Sequence, residues 1–151
     1  MISQESVVLV LAYLQLNKEI LFTSFVIWDV PIKANSHRST ELKEFKFDRN
    51  TLVFQLIEED TEKVWSLSFD SLQAFRTTTE ECSAEILKQL PTNGGFFKAP
   101  ESVLLDSLGK NNIHFLNNAC HFVICCYDEV LEVIADVNSA KFCKGSSPCD
   151  R

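Results

Sequence analysis

Few side chains in this sequence could do chemistry, and their spacing limits what each could do. His121 precedes Cys125 by four residues, a separation that puts imidazole and thiol on one face of a strand. At the usual strand rise the two would stand about 13 Å apart, too far for the proton transfer that activates a cysteine nucleophile. His37 and His114 could reach a thiol only if the fold brought them there. Neighbouring carboxylates occur at Glu58, Glu59 and Asp60, at Glu80 and Glu81, and at Asp128 and Glu129. General acid and base work needs two such groups held across a cleft with separated pKa values, whereas acids in turns and first helical turns ordinarily face water. Gly94 and Gly95 run into Phe96 and Phe97 with none of the Lys, Ser or Thr spacing of a phosphate-cradling loop. Cys125 and Cys126 are adjacent, so on a strand they point to opposite faces, and Cys143 with Cys149 has no metal-ligand spacing. The residues therefore give no catalytic, cofactor or metal site, and the expected class is a binding module rather than an enzyme.

Composition narrows the partner. The 151 residues are 46% hydrophobic and 23% charged, the balance of one globular domain able to bury roughly two thirds of its extended surface. Twelve Phe against two Tyr and two Trp put most aromatic weight in the core. With 14 basic and 21 acidic residues the net charge is −7, which repels nucleic acid and anionic lipid and steers basic proteins inward. Two apolar runs, 7–16 and 20–30, lie near the start. Gln15 and the triplet Asn17, Lys18, Glu19 interrupt them, no basic region precedes them, and neither reaches the roughly 20 residues of a membrane helix. A cytoplasmic protein without a membrane span is expected, with all six cysteines as thiols and Cys82, Cys120 and at least one of Cys125 and Cys126 buried.

Periodicity supplies the elements that must position any site. Residues 41–47 put Phe45 and Phe47 on one face. Residues 51–57 alternate Leu52, Phe54 and Leu56 with Val53, Gln55 and Ile57, and 63–69 alternate Trp65, Leu67 and Phe69 with Ser66 and Ser68. Polar connections at 48–50 and 59–62 make these a β-meander, and 20–30 adds another strand ending at Pro31. Thr78 with Glu81 has the spacing of a capping box, after which Cys82, Ile86, Leu87 and Leu90 share a helical face until Pro91. A second short helix fits 100–108, with Pro100 first, Val103, Leu104, Leu105 and Leu108 inward, and Gly109 at the exit. Two apolar runs then close the fold as a hairpin, 121–126 and 130–134. The expected fold is α+β: an antiparallel β-meander sheet with two short helices inserted before a C-terminal β-hairpin, one domain over 1–140, and a tail over 141–151 that packs little.

The succession of Phe69 at a strand end, Phe75 and Arg76 before Glu80 and Glu81, Ser102 in a short helix, His121-Phe122-Val123-Ile124 and Val130-Leu131-Glu132-Val133-Ile134 resembles small bacterial immunity proteins of polymorphic toxin systems, over residues 41–135. That resemblance implies an α+β domain without catalysis that neutralises a cognate toxin by covering its active or substrate-binding surface. Arg76 and His121 sit at the edges of apolar strands and read as structural, with Glu80 or Glu81 the expected partner of Arg76. Glu58, Glu59, Asp60, Glu62, Asp128, Glu129 and Glu132 are the residues expected to meet a basic protein such as that toxin. Two other classes stay open: a cysteine-dependent small hydrolase or redox protein, and an oligomerising structural subunit.

Overall fold

Alternation along β3 (Thr51–Glu58) shows how this chain makes its layers: Leu52, Phe54 and Leu56 are buried while Val53, Gln55 and Ile57 are half-buried. The computed structural model describes residues 3–9 and 23–148. The meander expected from periodicity is present as β2 (Thr40–Asp48), β3 and β4 (Val64–Phe69), each antiparallel to the next. Its first turn is Arg49 and Asn50, with Arg49 at φ 58. A fourth strand, β9 (Ala140–Lys144), pairs with β4 from Phe69↔Ala140 to Trp65↔Lys144.

The tail expected from residue 141 onward is thus a sheet strand up to Lys144. Phe142 explains the difference: its ring packs 5.4 Å from Trp28 and 6.0 Å from Phe96, giving apolar burial to a segment whose polar flanks read as loop. Beyond it, Ser66 Oγ donates to the Gly145 carbonyl at 2.9 Å.

The closing hairpin does not extend the meander but lies at the heart of a second sheet. β7 (Ala119–Cys125) and β8 (Glu129–Asp136) pair together, β5 (Leu72–Thr79) flanks β8, and β6 (Phe96–Ala99) followed by β1 (Val26–Ile27) flanks β7. One face of this five-stranded sheet packs on the four-stranded sheet: Phe122, Ile124, Leu131 and Val133 form one core with Leu52, Phe54, Leu67 and Phe69. The other face is covered by Phe25, Leu90, Ile86 and Leu87 near one end and by Leu105, Leu116, Leu104 and Leu108 near the other. Both faces of β7 and β8 being covered, their sequence runs apolar instead of alternating.

The helices are shorter than their sequence patterns. Thr78 does not cap a helix, because β5 continues to Thr79, which pairs with Glu129. Ladder hydrogen bonds along a paired strand outweigh one local capping box. A 3₁₀ turn (Glu80–Cys82) and a single α turn, α1 (Ala84–Leu87), follow, so Cys82 is exposed instead of facing the core. The next helix, α2 (Val103–Ser107), starts after Ser102, whose Oγ accepts the Leu105 N–H at 3.0 Å; Pro100 precedes the cap and Val103 is exposed. Gly109 ends it at φ +89, a conformation a side chain would strain.

Of the apolar run 20–30, only Val26 and Ile27 form a strand, and residues 20–22 lie outside the described residues. Of the run 7–16, the described residues 7–9 are helical and exposed. No helix among the described residues is long and apolar enough to cross a membrane. Cys120, Cys125 and Cys126 are buried free thiols and Cys82 an exposed one, but Cys143 is disulfide-bonded, which corrects the expectation of six thiols.

Candidate functional site

Two constellations gather polar residues from distant parts of the chain. The first is buried on the helix-covered face of the five-stranded sheet. Arg76 on β5 stands directly opposite Glu132 on β8, while His121 on β7 sits diagonally, since the residue opposite Glu132 is Val123. Strand alternation puts all three side chains on one face. Arg76 forks onto Glu132, Nε to Oε2 at 2.5 Å and Nη2 to Oε1 at 3.1 Å, and His121 Nε2 lies 3.0 Å from Oε1. The other imidazole nitrogen, Nδ1, is 2.9 Å from Ser102 Oγ. The partner of Arg76 is therefore neither Glu80 nor Glu81: those acids follow β5 on the 3₁₀ turn, while the sheet register delivers Glu132.

The Glu132 carboxylate can only accept, so His121 Nε2–H donates to its Oε1. Ser102 Oγ, which accepts the Leu105 N–H, has both a hydrogen and a second lone pair with which to meet Nδ1. Burial pushes the Glu132 carboxyl up, but the hydrogen bonds from His121 and Arg76 and the guanidinium charge outweigh it and hold it below the usual carboxylate range. The same bond raises Arg76.

Hydroxyl, imidazole and carboxylate in series is the order of a nucleophilic triad. Ser102, His121 and Glu132 are, however, only 5%, 2% and 2% exposed, and the serine oxygen is committed to capping α2. A cavity of about 310 Å³ beside them is lined by Thr23, Arg76, Gln89, Leu104, His121 and Glu132, and Ser102 is not among its lining residues. The edge of the Phe25 ring closes on the imidazole with centroids 5.0 Å apart. The arrangement can tie three strands to a helix, and the serine of the series does not line the cavity beside it, whose hydroxyls among the described residues are those of Thr23 and Ser107. Burial pushes the Cys125 thiol up to about 12 and lifts Cys120 and Cys126 as well, so all three stay protonated near neutrality.

The second constellation is the acidic face. Two residues expected there are not available to a partner. Glu132 belongs to the buried network. Glu58 is 4% exposed, because its carboxylate folds inward to accept the Lys33 N–H at 2.9 Å and the Thr61 hydroxyl at 2.5 Å. Burial opposes the Glu58 charge, but those bonds, together with Trp65 and the charge of Lys63, hold the carboxyl below its ordinary range. Glu59, Asp60 and Glu62 on the β3–β4 loop and Asp128 on the β7–β8 turn are exposed, and Glu129 is partly so.

Backbone bonds bring these two loops together. Tyr127 N–H donates to the Thr40 carbonyl at 2.8 Å and Glu59 N–H to the Ser39 carbonyl at 3.2 Å, so both hang from the start of β2. Between them lies a cleft of about 430 Å³ lined by Arg38, Thr40, Glu41, Glu59, Tyr127 and Asp128. The Arg38 guanidinium lies 4.2 Å over the Tyr127 ring. Burial, then the charges of Asp128 and Glu41, push the Glu129 carboxyl up. Glu41, Arg38, Thr40 and Tyr127 are the residues that spacing along the chain missed. Asp60 and Glu62 do not line the cleft.

Among the described residues no group of three or more His, Cys, Asp or Glu side chains could hold a metal ion. Comparison of the chain with known protein families, curated proteins and solved structures finds no match.

Proposed function

We propose that this chain is a non-catalytic protein-binding module whose acidic face, carrying Glu59, Asp60, Glu62, Asp128 and Glu129 together with Glu41, holds a basic protein. The supporting observation is that acids from two loops and one strand converge on a single cleft in which Arg38 is the one lining cation among the described residues. Packing like charges together costs folding free energy, and a cationic partner relieves that cost on binding while speeding its own approach. Neutralisation of a bacterial toxin is the role we assign to that binding, with the partner's active or substrate-binding surface covered by the acidic face. Three residues on which the resemblance to immunity proteins rests, Arg76, Ser102 and His121, belong to one buried hydrogen-bond network, which suits a scaffold role for them. A cytoplasmic setting is the one we assign to this reading on the free thiols of Cys82, Cys120, Cys125 and Cys126, with the disulfide of Cys143 as the exception to it.

The test is to co-express the chain with the products of the neighbouring genes. Relief of a toxic product's growth defect, co-purification of the pair, and an association rate cut roughly tenfold or more when Glu59, Asp60, Glu62, Asp128 and Glu129 become amides are the expected results. A chain that protects against no neighbouring product and retains no basic protein at low salt would overturn the proposal.

A further inference from the structure

The cleft between the β7–β8 turn and the start of β2 contains a feature that an acidic surface alone does not explain. Thr40 is 1% exposed, lines the cleft, and its Oγ1 has no hydrogen-bond partner among the described residues. Its carbonyl is engaged by Tyr127 N–H, so the residue is held in place with a free buried hydroxyl. Such orphaned groups are rare and ask for a cause. Three carboxylates share the cleft with it, Glu41, Glu59 and Asp128, and none of the three makes an ion pair among the described residues. Tyr127, in the same lining, carries a planar cation, Arg38, against its ring. Carboxylates outside any ion pair, an unpaired hydroxyl and a ring that stacks on a guanidinium are the donor-seeking surroundings of an organic cation. A metal ion is a poorer fit, since no cluster of three potential ligands forms among the described residues.

We infer that this cleft receives one cationic side chain, an arginine or lysine of the partner, its head among Glu41, Glu59 and Asp128 and one of its N–H groups donated to Thr40 Oγ1. This rests on the reading of the acidic face as a protein-binding surface, and names the anchor that would enter it. A single inserted side chain desolvates the hydroxyl and carboxylates together, which makes it the central anchor of an interface, whereas Asp60 and Glu62 outside the cleft act mainly on approach.

The probe is the isolated head group. N-acetyl-arginine methylamide and its lysine counterpart are titrated into the full-length chain at low salt and followed by amide chemical shifts, with the uncharged citrulline analogue as control. The expected result is saturable shifts at Thr40, Glu59, Tyr127 and Asp128 with a dissociation constant on the order of millimolar for a cationic probe, and none for citrulline. Thr40→Val should weaken that binding roughly fivefold. Asp128→Asn, on an exposed turn where folding is not at stake, should weaken it at least as much. Shifts of equal size from citrulline, no saturation by either cation, or indifference to Asp128→Asn would each overturn the inference. A basic protein that binds the wild-type chain while the probes do not would leave the binding-module reading standing and remove only the anchor. Saturation by a probe with no basic protein captured would do the reverse.

Discussion

Replacing Glu132 by Gln tests whether the buried network is a strut. Glu132 accepts three hydrogen bonds, two from Arg76 and one from His121, and both of its oxygens face donors. An amide in the same place must turn its NH₂ toward either Arg76 Nε or the shared donors of Arg76 and His121, so at least one charge-assisted bond becomes a donor meeting a donor. Bonds to charged groups contribute roughly 1.5–3 kcal/mol each. Arg76 is 57% exposed at its side chain and can turn to water, which recovers part of the loss. The net cost is about 1–2 kcal/mol at pH 7, a fall of roughly 2–8 °C in Tm for a domain of this size.

The pH dependence is the sharper readout. The Glu132 carboxyl is held below its ordinary 4.5 in the folded chain, so it stabilises the fold above that value and loses its contribution as pH falls through the folded pKa. Gln does not titrate. Urea unfolding of both chains between pH 7 and pH 4 should give a stability gap that is full at pH 7 and narrows once pH drops below about 4.5. A gap under about 0.5 kcal/mol at pH 7, or one that stays constant down to the acid limit of the fold, would refute the reasoning.

Glu129 should behave with the opposite sign. Its carboxyl is raised in the fold by burial and by Asp128 and Glu41, so its ionisation opposes folding as pH rises; Glu129→Gln should gain a few tenths of a kcal/mol at pH 7 and nothing at pH 3, read by the same urea curves. A thiol reagent on the native chain should modify Cys82 rapidly and Cys120, Cys125 and Cys126 only after unfolding, while Cys143 should react only after reduction. Mass mapping of the labelled peptides would show the order, and early labelling of Cys125 or Cys126 would contradict their burial.

The meander was legible from residues because alternation is local. Leu52, Phe54 and Leu56 against Val53, Gln55 and Ile57 state a two-residue period, and the observed β3 follows it. The apolar hairpin was equally plain. Which sheet it joins was not, because β5, β6 and β1 reach it through long-range pairing that leaves no periodic signature. The capping box at Thr78 and Glu81 failed for a related reason: the pairing of Thr79 with Glu129 is a non-local interaction that overrides a correct local signal.

The same divide runs through the sites. Net charge, the short reach of the apolar runs and the lack of dyad spacing between His121 and Cys125 are properties of the chain itself, and they set the expectation of an acidic binding domain before any fold is known. Which acids face a partner is decided only in three dimensions. Glu58 and Glu59 are neighbours, yet one turns inward to the Lys33 amide and the other stays at the cleft, and Glu132 lies in a strand whose both faces are covered. Sequence determines which charges a chain carries; burial, which depends on what packs above each face, determines which of them remain free to meet another molecule.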